Sequence, residues 1–170
     1  MKAPMIVICA LFVSTSLFAG NPTHEAKSNA GFDKMKTLVG SWNGKDADGK
    51  TVSVSYKIVS AGTTILETLD MAEEKEAMVT MYHANGDKLM MTHYCSMGNQ
   101  PNMRADKMSA DGSTIAFTMY EATNLAKKTD PHMSKLVVTF KDADHFIQEW
   151  SMSQDGKVAH VGKFEFERAK

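Results

Sequence analysis

The sequence predicts an all-β domain, an antiparallel meander of roughly ten strands closed into a barrel with one short helix ahead of it. Three observations carry this expectation. From Gly40 onward apolar residues recur at every second position: Val52, Val54, Tyr56 and Ile58 alternate with Thr51, Ser53, Ser55 and Lys57, and Phe164 and Phe166 alternate with Lys163, Glu165 and Glu167. That period marks strands with one buried and one wet face. Turn pairs fall regularly between the runs, at Asp48-Gly49, Ala61-Gly62, Asn85-Gly86, Asp111-Gly112 and Asp155-Gly156. Asn-Gly and Asp-Gly favour tight hairpins because both central residues tolerate positive φ. Connections are short except for residues 123–132. Successive short connections make neighbouring strands antiparallel, and closure removes the two exposed edges. An open sandwich is the alternative arrangement.

The elements follow in order. Phe32, Met35, Leu38 and Val39 have the spacing of a short helix with one buried face over residues 32–39. Strands are then expected near 41–46, 50–59, 63–71, 75–83, 87–97, 102–110, 113–121, 134–141, 144–153 and 157–168. Ahead of the helix, Met1-Lys2 gives a basic start, Met5 to Phe18 is mostly apolar, and Ala19-Gly20 are small. This is the pattern of a secretory signal peptide over residues 1–19, with cleavage after Ala19. The apolar run is short for a membrane span, which takes roughly 20 residues. Residues 20–31 are polar and small, and read as a flexible leader to a single barrel domain over 32–170. The expected location is therefore periplasmic or secreted, with no integral membrane segment once the signal is gone.

Removal of the signal leaves about 150 residues, enough for one domain with a sizeable core. Lysine and arginine number 19 against 20 aspartates and glutamates. Nothing in that near-neutral balance favours nucleic-acid binding, which needs a clustered basic face. Of the two cysteines, Cys9 leaves with the signal. Cys95 then has no partner within the chain, and stability has to come from an ordinary core.

The segment Leu38-Val39-Gly40-Ser41-Trp42-Asn43-Gly44 resembles the Gly-x-Trp opening of the calycin group, which includes lipocalins, fatty-acid-binding proteins and nitrobindin-like barrels. A wider set is similar to a family of uncharacterised secreted bacterial lipocalin-like proteins. It comprises Thr92-His93-Tyr94-Cys95, Gly98-Asn99-Gln100-Pro101, Ala122-Thr123-Asn124-Leu125, His132-Met133, Asp144-His145 and Gln148-Glu149-Trp150. The resemblance implies a calycin-like barrel in an exported protein, with Trp42 plugging its floor. It implies no activity.

Function is therefore argued from residues. Strand parity puts His93 and Cys95 on one face. A two-residue turn at Asn85-Gly86 sets Tyr82 opposite Leu89, Thr80 opposite Met91 and Met78 opposite His93. One face then carries Met78, Thr80, Tyr82, Leu89, Met91, His93, Cys95 and Met97. The other carries His83 and Lys88, so the first set is expected inside.

Three readings compete. In the first, the barrel encloses a small apolar or amphipathic ligand without catalysing a reaction. Tyr82, Met91, His93, Cys95, Arg104 and His132 are then the candidate ligand-binding residues, and Glu149 is a further polar candidate. Such pockets are mostly apolar with a few fixed polar groups. In the second, His93, Cys95 and Met97 hold copper or zinc, or a histidine holds haem as in nitrobindin-like barrels. In the third, Cys95 is a nucleophile and His93 its base. No glycine loop for an oxyanion precedes Cys95, and no serine-hydrolase, phosphate-loop or zinc-protease motif occurs. Arg104 is expected to share its face with Met108, Phe117 and Met119. Packed-core explanations stand beside each reading, because methionine and free cysteine are routine core fillers. Ligand identity and oligomeric state are not set by the sequence.

Overall fold

The alternation of apolar and polar residues becomes strand after strand. The computed structural model describes residues 28–72 and 74–170; the expected signal segment and most of the expected leader lie outside them. A helix α1 (Ala30–Lys36) precedes β1 (Gly40–Asp46), β2 (Thr51–Val59), β3 (Thr64–Met71), β4 (Met78–Asn85) and β5 (Lys88–Tyr94). These are followed by β6 (Gln100–Ala105), β7 (Thr114–Thr123), β8 (His132–Phe140), β9 (His145–Gln154) and β10 (Lys157–Arg168). Every sequential neighbour pairs antiparallel, and β10 returns to pair with β1, so the barrel is closed. No helix among the described residues is long and apolar enough to cross a membrane.

The helix begins at Ala30 rather than Phe32, because Asn29 caps it. Phe32 N–H donates to Asn29 Oδ1 at 2.9 Å, satisfying one of the helix's unpaired first-turn donors. The Asn29 amide donates in turn to Gly86 O at 3.1 Å and Lys88 O at 3.2 Å. The last residues of the expected leader are thus part of the fold, tying α1 to the β4–β5 turn.

The helix closes that end of the barrel. Phe32, Met35, Leu38 and Trp42 are buried together, and Trp42 Nε1 donates to Leu38 O at 2.7 Å. The Arg168 guanidinium covers the Trp42 ring at 4.0 Å. It also donates to the carbonyls of Thr37, Val39 and Ala143. One side chain from the last strand therefore fastens the helix exit, the β8–β9 turn and the first strand.

The β4–β5 hairpin differs in register from the expected one. Asn85 pairs with Lys88, Tyr82 with Met91 and Thr80 with His93. The turn is Gly86-Asp87, with Gly86 at φ +62° in the first central position, where some two-residue turns demand glycine. Partners move by two residues, so the inward face is unchanged. Met78, Thr80, Tyr82, Leu89, Met91, His93 and Cys95 are all buried, whereas Met97 is 39% exposed. The strand expected over 87–97 stops at Tyr94 because Cys95–Gly98 turns back, with Gly98 N–H donating to Cys95 O at 2.9 Å.

At the β1–β10 seam, a Cβ on Gly44 would lie 2.5 Å from the Glu165 carbonyl and 2.6 Å from the Phe166 ring. Glycine is required there because a backbone oxygen cannot yield as a flexible side chain can. Gly44→Ala is expected to destabilise the protein by about 1–3 kcal/mol, read as a lower urea midpoint with an unchanged slope.

Candidate functional site

Among the described residues the barrel interior holds one carboxyl side chain. On β3 the inward phase is Ile65, Glu67, Leu69, and Glu67 is fully buried. A carboxylate there must be supplied with donors, since burial without them costs several kcal/mol. Tyr82 O–H donates to Glu67 Oε2 at 2.7 Å and Gln148 Nε2 donates to the same oxygen at 3.0 Å. Thr80 Oγ1 stands 3.4 Å from Oε1. Gln148 also donates to Tyr56 Oη at 2.8 Å, and its own Oε1 accepts from Trp150 Nε1 at 3.1 Å. No cationic side chain pairs with Glu67 among the described residues.

Burial raises the Glu67 pKa above the usual carboxylate value, while the hydrogen bonds from Tyr82, Tyr56, Gln148 and Thr80 oppose that rise. Tyr56 and Tyr82 are held well above the ordinary tyrosine range, first by burial and then by the charge of Glu67.

Thr80 connects this network to His93. Its Oγ1 lies 2.9 Å from His93 Nδ1. The imidazole packs on Trp150, with ring centroids 4.5 Å apart. The one side-chain hydrogen bond of His93 among the described residues is this one at Nδ1, which leaves Nε2 without a protein partner there. Burial lowers the His93 pKa to about 4, so the ring is neutral at physiological pH.

His93 and Trp150 line a cavity of about 210 Å³ at the end of the barrel opposite α1. The wall is apolar and rich in sulfur: Leu69, Met71, Met78, Cys95, Met133 and Met152 line it together with Phe164. Glu74, Ser96, Met97 and His160 also border it and are exposed. A register shift between Val158 and His160 in β10 sets His160 opposite Met152. Burial pushes the Cys95 thiol pKa up, the opposite of the activation a nucleophilic cysteine needs.

Of the six candidate ligand-binding residues, His93 and Cys95 meet at this cavity. Tyr82 serves Glu67 instead, and Met91 is packed in the core. His132 is buried outside the cavity lining, with Nδ1 2.7 Å from Asp130 O. Arg104 is on the outer surface. It lies on the outward phase of β6, between the buried Met103 and Ala105 and opposite Thr118, and its partner is Asp106 at 3.6 Å. It therefore does not share a face with Phe117, which is fully buried. Glu149 is half-buried on the outward phase of β9, opposite to Gln148 and Trp150. The metal candidates His93, Cys95 and Met97 all line the cavity. No group of three or more histidine, cysteine, aspartate or glutamate side chains placed to hold a metal occurs among the described residues. The residue the sequence reading missed is Glu67, and its signal was phase: a glutamate at an apolar position between Ile65 and Leu69.

A larger depression of about 1000 Å³ runs along the outside of β1, β9 and β10. It is open to solvent and lined by charged side chains such as Lys163 and Glu165, which pair with each other. The cavity beside His93 is the better binding site, because it is less open than this depression and its mostly apolar walls desolvate what enters.

A solved structure similar to this fold is that of a protein of unknown function from the DUF3598 family of Nostoc punctiforme. The match has a TM-score of 0.54 and 11% sequence identity, covering 79% of this chain and 48% of that one. The chain thus spans about half the length of that protein, and the likeness is one of fold. No protein-family model matches the chain, and no curated protein matches it.

Two outcomes test the site. Tyr82→Phe removes a donor from a buried carboxylate and is expected to cost about 1–3 kcal/mol, measured by urea denaturation at pH 7. His93 has a folded pKa near 4 against an unfolded value near 6.5. The unfolded chain therefore binds more protons between these values, so stability is full above pH 6.5 and falls as pH drops toward 4, by up to about 3 kcal/mol. Urea midpoints measured across that window should decline in the wild type and flatten in His93→Gln.

Proposed function

We propose that the protein is an exported, non-enzymatic binder of a small, largely apolar molecule held at the open end of a calycin-like barrel. The observation that carries this reading is the apolar cavity of about 210 Å³ with the neutral imidazole of His93 in its wall. Apolar walls desolvate the ligand, and Nε2, unused by the protein, gives it one oriented polar contact. Volume limits the ligand. A cavity of about 150 Å³ takes a benzene, whereas sites for drug-sized molecules run about 300–1,000 Å³. The fitting class is a single ring or a short chain, and a haem or a long-chain lipid exceeds the space. The methionines act as an adaptable wall that follows the ligand's shape. Export rests on the signal-like residues 1–19.

Titration with phenol, toluene and indole, followed by calorimetry and by the fluorescence of Trp150 in the cavity wall, tests this reading. Saturable binding is expected, and Met133→Trp, which fills the cavity, is expected to weaken it at least tenfold. No saturable binding across the set, or binding unchanged in Met133→Trp, overturns the proposal.

A further inference from the structure

The Thr80 hydroxyl has a single proton and two neighbours that can take it. Glu67 Oε1 is 3.4 Å away and His93 Nδ1 is 2.9 Å away. All three groups are buried, so the line between carboxylate and imidazole is completed by protein rather than by bulk water. Two arrangements saturate it. In one, Glu67 is ionised, Thr80 donates to Glu67, His93 Nδ1–H donates to Thr80, and Nε2 bears a lone pair. In the other, Glu67 is protonated and donates to Thr80, Thr80 donates to Nδ1, and Nε2 bears the hydrogen. Each gives the line two hydrogen bonds, and the imidazole is neutral in both.

We infer that Glu67, Thr80 and His93 form a proton relay between the buried carboxylate and the cavity, so that the charge state of Glu67 decides whether Nε2 accepts or donates a hydrogen bond. The transfer balances. A proton arriving at Nε2 sends the Nδ1 proton to Thr80 Oγ1, and the Thr80 proton passes to Glu67 Oε1. One proton enters, one is stored on Glu67, and the imidazole ends neutral with its N–H moved to the other nitrogen. Thr80 and Glu67 act through His93 and are positioning residues.

Among the described residues the other hydrogen-bonded route from Glu67 to the cavity runs through the Gln148 amide to the Trp150 indole, neither of which takes up a proton. Tyr56 and Tyr82 flank Glu67 but hold their own protons tightly, because burial and the Glu67 charge both disfavour their ionisation. On the cavity side the ionisable neighbours are Cys95, whose thiol is pushed up by burial, and Glu74 and His160, which are exposed. None of them carries a hydrogen bond to Thr80 or to Glu67.

The relay deepens the binding reading and, for its ligand class, rests on it. With Glu67 ionised, Nε2 is an acceptor, and the fitting ligand is a small ring with an O–H group. With Glu67 protonated, the same cavity suits a ligand that offers only an acceptor oxygen.

Nitrogen NMR of protein labelled at histidine, recorded without ligand, reads the tautomer of His93 directly, and the Glu67 carboxyl carbon reports its charge. The wild type is expected to show a pyridine-like Nε2 while Glu67 is ionised and a pyrrole-like Nε2 once it is protonated. Glu67→Gln puts an amide donor toward Thr80 and should hold the pyrrole-like Nε2 at every pH. Thr80→Val should uncouple the tautomer from the Glu67 charge. A wild-type tautomer that ignores the Glu67 charge, or one unchanged in Glu67→Gln, overturns the relay. Phenol is expected to bind roughly tenfold more tightly than its methyl ether in the wild type with Glu67 ionised, and about equally in Glu67→Gln. Equal binding of the two in the wild type overturns the ligand class. Failure of both to bind, with the tautomer still following Glu67, overturns the binding reading and supports the relay.

Discussion

A carboxylate inside an apolar barrel imposes a condition on its whole neighbourhood. Among the described residues no cation pairs with Glu67, so when it is ionised its charge has to be met by dipoles. Three strands contribute to that task around Glu67 on β3: Thr80 and Tyr82 on β4 and Gln148 on β9 face the carboxylate, and Tyr56 on β2 accepts from Gln148. Each donor is then fixed in position by what it serves, and the constraint spreads outward. Gln148 can donate to Glu67 only with its carbonyl turned away, and that carbonyl holds the Trp150 indole. Thr80 reaches both Glu67 and His93. Two of the rings that line the cavity, Trp150 and His93, are therefore oriented from behind by the same buried group.

This arrangement separates two kinds of interior. Toward α1 the barrel is filled with aromatics, where Phe146 meets Trp42 edge-on at 4.8 Å and stacks with Phe166 at 4.9 Å. Toward the open end the lining changes to methionine, cysteine and a few rings, and space remains. The polar network lies between them. Aromatic packing gives rigidity at one end, and unbranched thioether side chains give adaptability at the other. A binding site needs both, and the sequence distributes them along the barrel axis.

Most of the fold was legible because its rule is simple. Period-two alternation and glycine-bearing turns located all ten strands in order, and a slip of two residues in the β4–β5 register left the faces intact. Boundaries were harder. The strand through His93 ends at Tyr94 because Gly98 can take a positive φ and fold the chain back, and Asn29 belongs to the helix because its side chain caps it. At the site, parity brought His93 and Cys95 together correctly. Arg104 went to the outer surface because Met103 and Ala105 take the inward phase of β6, and the register slips by one residue between the Arg104–Thr118 and Met108–Ile115 pairs, which alternation alone does not reveal. Glu67 was overlooked for the converse reason: the pattern placed it inside, while its charge invited the assumption of solvent. Tyr82 and Gln148 became intelligible only once the carboxylate they serve was seen.

The seam between β1 and β10 bears on how the chain reaches this structure. Arg168, in the final strand, donates to Thr37 O across 131 positions of sequence, and Trp42 to Asp46 of β1 have their second partners in β10. Nearest-neighbour hairpins can form as soon as their own residues are present, but closure waits for the C-terminal strand. A chain shortened by its last dozen residues would leave β1 and β9 each with an unpaired edge, open to pairing with another molecule. Loss of the C-terminus is therefore a route to aggregation rather than to a smaller barrel, and the β1–β10 pairing is the one that closes the longest loop of chain.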